Sequence, residues 1–243
     1  MPSADVPSTA VPVAAVAIGD LPDVSGLTVG ILGGTGDQGK GLAYRLGRAG
    51  QRVRLGSRAA ERGAQAAAEL AAMPGCVPDT VTGGDNAYAC SADIVIVAVP
   101  WEGHAELLAG LAGPLAGTIV VDCVNPLGFD KQGPYALPVA EGSAAQQAAA
   151  LLPDSIVCAA FHHVSATLLA DPEVDRIDLD VLVLGDDRAA VGKVQALAGL
   201  IEGMRGIYAG RLRNAGQVEA FTANLIAINR RYKAHAGIRV TDL

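Results

Sequence analysis

The chain has 243 residues, of which 51% are hydrophobic and 18% are charged, and its formal net charge at pH 7 is −7. This length and apolar content suffice for one large domain and a smaller second one. The acidic balance argues against nucleic acid or an anionic membrane surface as a partner. Four cysteines, widely spaced and without a C-x-x-C pair, indicate neither a metal site nor a disulfide framework, so we expect a reducing, cytoplasmic location.

The first 25 residues are rich in Ala, Pro, Val and Ser and carry no basic segment. Prolines interrupt every apolar run, and no segment is long enough to cross a bilayer. We therefore expect residues 1–25 to be a flexible extension rather than a signal peptide or a membrane anchor.

The segment 27–32 is short and apolar and leads directly into a glycine-rich turn and a helical segment. In this turn and the start of the helical segment, Gly34, Gly36 and Gly39 stand in the G-x-G-x-x-G register. The first permits a tight turn, the second lets the backbone approach a phosphate, and the third lets the helix pack on the strand. We predict that this turn binds a dinucleotide pyrophosphate, with Asp37 capping the helix. The predicted binding residues are Gly34, Thr35, Gly36, Asp37, Gln38 and Gly39.

A competing motif overlaps this turn, because residues 34–41 nearly spell the phosphate loop G-x-x-x-x-G-K-[ST] of nucleotide hydrolases. The match fails at Gly41, which has no hydroxyl group to offer magnesium. The dinucleotide interpretation is therefore favoured.

The next apolar segment, 52–57, ends where NAD-binding proteins keep an acidic residue for the ribose 2′-hydroxyl. Here the sequence is Ser57-Arg58, followed one helical turn later by Arg62. A hydroxyl and a guanidinium group would hold a 2′-phosphate that a carboxylate would repel, so the pattern predicts NADP rather than NAD. The alternative for both arginines is a solvated helix start.

Apolar strand-like segments then alternate with Ala-rich helical segments, which is typical of a parallel sheet with helices on both faces. The predicted strands are 27–32, 52–57, 93–99, 118–122, 156–161, 179–184 and one near 206–208. The predicted helices are 38–49, 59–72, 103–112, 143–151, 187–202 and 214–235. We predict an α/β fold with two parts, a doubly wound parallel (Rossmann) sheet over residues 26–155 and a smaller C-terminal α/β domain over 156–243 whose helices form a homodimer contact.

Ligands of such sheets bind outside the carboxyl ends of the strands, and three strand ends carry candidates. Trp101, after Val99 and Pro100, could form a wall of a nicotinamide pocket or pack the following helix. Asn125 could bond cofactor or cap a turn. His162 and His163 adjoin at the third strand end, where adjacent residues of a strand point to opposite faces, so we expect at most one of them to reach a ligand.

Basic residues cluster near the C-terminus of this otherwise acidic chain. They could form a positive patch for an anionic ligand tail, or a solvated basic face. They are Arg211, Arg213, Arg230, Arg231, Lys233 and Arg239.

Four segments together, 33–41, 56–58, 99–101 and 214–243, resemble the NADPH-dependent coenzyme F420 reductases, especially the actinobacterial type. The resemblance runs from about residue 27 to the end. It implies reversible hydride transfer between NADP(H) and the deazaflavin coenzyme F420. Archaeal members place a second basic residue directly after the one matched by Arg58, whereas this chain has Ala59, a loss for which Arg62 could compensate.

The resemblance also implies roles at the ring interface. Two stacked rings that carry their own redox chemistry need no metal or nucleophile from the protein, which has to orient them and exclude water. Val99, Pro100 and Val164 suit water exclusion, His162 or His163 could polarise the deazaflavin edge, and the basic cluster could receive its anionic tail.

Two other classes remain open. An NADP-dependent reductase of a small carbonyl or imine would need a placed acid such as a Tyr-x-x-x-Lys pair, and none follows the fifth strand. A non-catalytic NADP(H) sensor would keep the glycine turn and Ser57-Arg58 but would need no second pocket.

Overall fold

The computed structural model describes residues 20–243, so most of the predicted extension 1–25 lies outside the described residues. At its described end, Val24 is buried and its carbonyl accepts a hydrogen bond from the Leu27 backbone N–H.

An eight-stranded sheet forms the centre of the described chain, in the order β10-β9-β8-β5-β4-β1-β2-β3. Its strands are β1 (Thr28–Leu32), β2 (Arg52–Ser57), β3 (Val81–Asp85), β4 (Ile94–Val97), β5 (Ile119–Asp122), β8 (Ile156–Ala159), β9 (Leu179–Gly185) and β10 (Met204–Gly210). A separate antiparallel hairpin pairs β6 (Leu127–Asp130) with β7 (Gly133–Ala136).

Helices cover both faces of the sheet, as predicted. They are α1 (Asp37–Arg48), α2 (Ala60–Ala71), α3 (Asn86–Cys90), α4 (His104–Leu115), α5 (Ala144–Leu151), α6 (Ala166–Ala170), α7 (Arg188–Gly199) and α8 (Ala215–Tyr232). Two apolar cores result, because strand side chains alternate between the faces. In β4, Ile94 and Ile96 join the core under α1, α2 and α7, whereas Val95 and Val97 join the core under α4, α5 and α8.

The predicted α/β class with a largely parallel sheet is confirmed, but β9 runs antiparallel to β8. The segment between these strands contains only the short helix α6, whereas a parallel return needs a full crossover. Helix α7 supplies such a crossover between β9 and β10, and this pair is parallel. Strands β8, β9 and β10 thus extend the same sheet as the first five strands.

Four parts of the architecture were not predicted: strand β3, the hairpin β6–β7 and the short helices α3 and α6. Strand β3 contains Gly83 and Gly84, and a side chain at Gly83 would lie 2.0 Å from the carbonyl oxygen of Gly63 in α2. The close packing of this helix requires glycine where strand propensity would favour a β-branched residue. The hairpin β6–β7 is half-buried or exposed and lacks a regular apolar alternation, so its sequence gives a weak signal.

Candidate active site

The glycine-rich turn joins β1 to α1 at the carboxyl edge of the sheet, as predicted. The left-handed backbone lies at Gly33 (φ +76°) rather than at Gly34, the position predicted for the tight turn. An added Cβ at Gly39 would lie 2.6 Å from the Gly33 carbonyl oxygen, which confirms that this glycine permits close helix packing. At Gly36 it would meet only that carbonyl, at 3.4 Å, so the space above the turn is open.

The α1 N-terminus differs in one detail from the prediction. The helix begins at Asp37, and Gly36 occupies the N-cap position without a side-chain cap, so the predicted capping role of Asp37 is wrong. The first backbone N–H groups of a helix have no partner within it and can bind an anion. Lys40, the lysine of the rejected phosphate-loop motif, pairs instead with Glu69 at 3.4 Å.

The end of β2 places Ser57 next to the N-terminus of α2. Ser57 is buried, whereas Arg58 and Arg62 are exposed and make no hydrogen bond or ion pair within residues 20–243. Ala59, the N-cap residue of α2, offers no capping side chain. Arg58 and Arg62 thus follow the end of β2 with guanidinium groups available for a ligand, whereas the guanidinium group of Arg54, within β2, donates to the Ser91 carbonyl.

The loop after β4 carries Val99, Pro100 and Trp101. Both Val99 and Trp101 are half-buried against the core under α4, and Pro100 is exposed. The Trp101 ring lies 5.5 Å from the His104 ring, between centroids, with the planes tilted by 32°. Trp101 therefore packs on the first residue of α4, as one of its two predicted alternatives states; its role as a pocket wall stays a prediction.

The histidine pair lies in a turn, not on a strand. Strand β8 ends at Ala159 rather than at the predicted residue 161, and Phe161 adopts a left-handed backbone (φ +63°). The argument from strand alternation, which allowed only one histidine to reach a ligand, therefore does not apply. Val164, at the end of this turn, is buried in the core beside Phe161.

Both histidines are buried and neutral. Burial lowers the pKa of His162 to about 4 and that of His163 to about 4. The Nε2 atom of His163 accepts a hydrogen bond of 3.4 Å from the Leu182 backbone N–H. Neither ring nitrogen of His162 makes a hydrogen bond of good geometry within the described chain, although the residue is only 4% exposed and the backbone of Cys123 and Val124 lies near the ring. Buried polar atoms without partners are costly, and a bound ligand or water would satisfy them.

Two side chains connect the predicted site loops. The Gln38 amide donates to the carbonyl oxygen of Phe161 (3.4 Å), and Asn125 Nδ2 donates to that of His162 (2.8 Å). The glycine-rich turn, the loop after β5 and the histidine turn thus meet at one edge of the sheet. Thr222 of α8, which was not predicted, donates to the His162 carbonyl at 3.4 Å.

A buried cluster behind these loops was also missed. His104 and Asp122 are 0% exposed, and their Nε2 and Oδ2 atoms lie 2.6 Å apart. Glu219 of α8 accepts hydrogen bonds from the backbone N–H groups of Ala144 and Ala145 at the start of α5. Burial raises the pKa of Glu219 to about 7, against the opposing effect of these two bonds. The one sequence signal for this cluster is an acidic residue that ends the buried strand β5.

Three residues of the predicted basic cluster make contacts within the protein. Arg239 binds Asp178 and Asp180, Arg211 lies 3.9 Å from Asp186, and Arg230 lies over the Phe129 ring. The charge of Arg239 is therefore neutralised by two aspartates and does not contribute to a free positive patch.

Among the described residues, no group of three His, Cys, Asp or Glu side chains has metal-binding geometry, and no helix is long and apolar enough to cross a membrane.

Comparisons with known proteins establish the family. Residues 28–126 match the family described as NADP oxidoreductase, coenzyme F420-dependent. The F420-dependent NADP reductase of Methanothermobacter thermautotrophicus is 36% identical over 89% of this chain and 96% of its own length. That of Methanocaldococcus jannaschii is 36% identical over 89% of this chain and 99% of its own length.

A solved structure from Arthrobacter sp. FB24, provisionally named an F420-dependent NADP reductase, superposes with a TM-score of 0.71. It shares 26% sequence identity and covers 89% of this chain and 100% of its own. The matches to these reductases cover 89% of the chain and so extend beyond residues 28–126. The chain belongs to the F420-dependent NADP reductase family.

Proposed function

We propose that the protein transfers a hydride reversibly between NADP(H) and coenzyme F420. The observation that carries this proposal is that the glycine-rich turn, the loop after β5 and the histidine turn meet at one edge of the sheet. Gln38, the second residue of α1 directly after the glycine-rich turn, donates to the backbone carbonyl of Phe161, and Asn125 donates to that of His162. We propose that the nicotinamide end of a dinucleotide bound at the turn lies beside the buried ring of His162.

The described residues fit NADP(H). Gly36 leaves open space over the turn, and the α1 N-terminus offers N–H groups to a pyrophosphate. We propose that the exposed guanidinium groups of Arg58 and Arg62 bind the 2′-phosphate. Ser57 would add a hydroxyl donor. These features support NADP(H) as the dinucleotide of the predicted binding set.

For the second substrate, the support comes from His162. At neutral pH its neutral ring has one N–H donor and one acceptor nitrogen, neither of which has a partner within the described chain. We propose that this ring bonds a polar edge of the deazaflavin, while Val99, Pro100 and Val164 exclude water. The nicotinamide and deazaflavin rings supply the redox chemistry when bound, so the protein's contribution is orientation.

An anaerobic mixture of the protein, NADPH and oxidised coenzyme F420 tests the proposal. We expect the visible absorbance of the deazaflavin to disappear catalytically, and to return when reduced F420 is mixed with NADP⁺. A parallel reaction with NADH tests the cofactor selectivity. NADPH binding without bleaching would contradict the proposal and would favour a small carbonyl or imine substrate, or the role of a sensor.

We further propose that the protein forms a homodimer through the C-terminal helix α8. Phe221, Ile228 and Tyr232 form an exposed apolar stripe on this helix, 42%, 38% and 72% exposed. Phe129 and Tyr135 of the adjacent hairpin are also exposed, and a groove of about 450 Å³ lies between the hairpin and α8. A second copy would cover this surface with matching apolar side chains.

Sedimentation of the wild type and of Phe221→Lys tests the dimer. We expect the wild type to sediment as a dimer and the variant as a folded monomer, and a monomeric wild type would contradict the proposal.

A location in the reducing cytoplasm is also proposed, and the four cysteines, none of which is paired, support it.

A further inference from the structure

The residue that links the loops around the proposed nicotinamide position is His104, which the hydride-transfer proposal does not use. His104 is the first residue of α4, directly after the turn that carries Trp101. Its ring contacts the Trp101 ring and bonds Asp122, the last residue of β5. The second oxygen of Asp122 accepts a hydrogen bond of 3.0 Å from the Val124 backbone N–H, next to Asn125.

The hydrogen bonds of His104 define its protonation. Nε2 lies 2.6 Å from Asp122 Oδ2, and Nδ1 lies 3.0 Å from the Gln147 side-chain oxygen. The Gln147 amide nitrogen donates to Glu141 at 3.2 Å, which fixes the orientation of that amide. Because both ring nitrogens face oxygen acceptors, both must carry a hydrogen, and the ring is an imidazolium.

We propose that His104 is a positioning residue of this site: its imidazolium, held by Asp122, fixes the loop that carries Trp101 to the loop that carries Asn125. This proposal rests on the proposed function, since both loops flank the position where the two rings would meet. A cation in contact with an indole ring is also favourable in itself.

The surroundings of His104 support a bound proton. Burial alone would lower its pKa, but the hydrogen bond and charge of Asp122 raise it above the ordinary value of 6.5. Glu219 of α8 adds a further acidic group, and Glu141 binds the other end of Gln147. Two buried titratable groups of elements that pack near this cluster are neutral at pH 7: burial raises the pKa of Cys90 in α3 to about 11 and lowers that of His162 to about 4. Glu102 and Glu106, beside His104 on its own segment, are exposed.

Trp101 is the only tryptophan in the chain, so indole fluorescence reports on this contact alone. A protonated imidazole quenches indole emission, whereas the neutral ring does so weakly. In the full chain without cofactor, we expect emission to increase in one step as pH rises, with a midpoint above 6.5. His104→Gln should remove the step, and Asp122→Asn, which keeps the size of the side chain, should move its midpoint to lower pH.

A variant at an exposed histidine, His235→Gln, provides the matched control and should keep the step. The absence of a step in the wild type, its survival in His104→Gln, or an unchanged midpoint in Asp122→Asn would overturn the proposal. Near-UV circular dichroism shows whether each variant has folded. If one variant has not folded, the fluorescence titration of the other tests the proposal.

A kinetic measurement separates positioning from binding. The proposed NADPH contacts are at the glycine-rich turn and at Ser57, Arg58 and Arg62, away from His104, so we expect the Kd for NADPH in both variants to stay within about threefold of the wild type. The kcat for F420 reduction should fall roughly ten- to a hundredfold, as expected for misplaced rings. An unchanged kcat would overturn the proposal. A wild type that does not bleach F420 would refute the proposed function instead, while the fluorescence step would still decide whether His104 holds Trp101.

Discussion

Asn125 Nδ2 donates a hydrogen bond of 2.8 Å to the backbone carbonyl oxygen of His162, across the gap between the ends of β5 and β8. The Thr222 hydroxyl lies 3.3 Å from Asn125 Oδ1 and 3.4 Å from the same carbonyl. The histidine turn follows the left-handed Phe161, so its position depends on such external bonds rather than on strand pairing. This is a structural role for Asn125 beside the cofactor contact predicted for it.

Replacement of Asn125 by Ala should therefore displace His162. We expect the free energy of unfolding to fall by about 1–2 kcal/mol, the usual cost of a lost hydrogen bond to a buried group. The KM for F420 should rise more than the KM for NADPH, as steady-state kinetics can measure. Thr222→Val removes only the weaker donor to the His162 carbonyl and should change stability and the KM for F420 less. Equal changes in the KM values for F420 and NADPH in Asn125→Ala would contradict this role of Asn125.

The cofactor preference should depend on Arg58. A guanidinium bond to a phosphate contributes about 1.5–3 kcal/mol, so Arg58→Ala should weaken NADPH binding roughly ten- to a hundredfold. NADH has no 2′-phosphate, and its weaker binding should change little. Isothermal titration with each dinucleotide measures both effects.

The matched control for this change is Arg54→Ala. Arg54 lies in β2, four residues before Arg58, but its guanidinium group donates to the backbone of Ser91 and lies over the Tyr88 ring. We expect it to leave both affinities unchanged. Equal losses for NADPH and NADH in Arg58→Ala would show that Arg58 does not contact the 2′-phosphate.

Two glycines in helices offer a sharp contrast. A Cβ at Gly39 would lie 2.6 Å from the Gly33 carbonyl oxygen and 2.9 Å from the Gly34 Cα atom, both backbone atoms of the binding turn. Gly39→Ala should therefore shift the turn and weaken NADPH binding at least about tenfold, with a loss of stability of about 1–3 kcal/mol.

Gly110→Ala in α4 is the corresponding control, because a Cβ there would meet nothing within 4 Å. It should stabilise the protein by about 0.5–1 kcal/mol through helix propensity and leave NADPH binding unchanged. Urea unfolding and titration of both variants test the pair; a Gly39→Ala variant that binds NADPH normally would contradict the packing argument.

The sequence predicted those features that depend on local pattern. The glycine register, the apolar strands and Ser57-Arg58 at a strand end are contiguous in the chain, so their geometry follows from a few neighbouring residues. The direction of β9 could not be read in this way, because it depends on what the segment after β8 packs against rather than on β9 itself.

The buried cluster was missed for a related reason. His104, Asp122, Gln147 and Glu219 come from four separate elements, and none of them has a local motif. Similarly, the strand alternation applied to His162 and His163 assumed that β8 continues to residue 161, whereas the left-handed Phe161 ends it earlier. Long-range partners and strand ends of this kind are set by tertiary packing.

The buried histidines should make the protein sensitive to acid. In the unfolded chain they bind protons near the ordinary pKa of 6.5, whereas in the folded protein burial lowers the pKa of each to about 4. Between these values the unfolded state binds more protons, so the contribution of the two histidines to the free energy of unfolding is greatest above pH 6.5 and falls as pH falls towards 4. Glu219, whose pKa is raised to about 7, acts in the opposite direction, so the contribution of each histidine is measured by its removal.

His162→Gln should reduce the pH dependence of stability in this window by up to one proton, or about 1.4 kcal/mol per pH unit. Urea unfolding at several pH values between about 4.5 and 7.5 measures the slope for the wild type and the variant. His235→Gln, a change at an exposed ring, controls for the loss of a histidine as such. If wild type and His162→Gln had parallel pH profiles, His162 would not be held neutral by burial, and the donor and acceptor assigned to its ring in the proposed F420 contact would have to be revised.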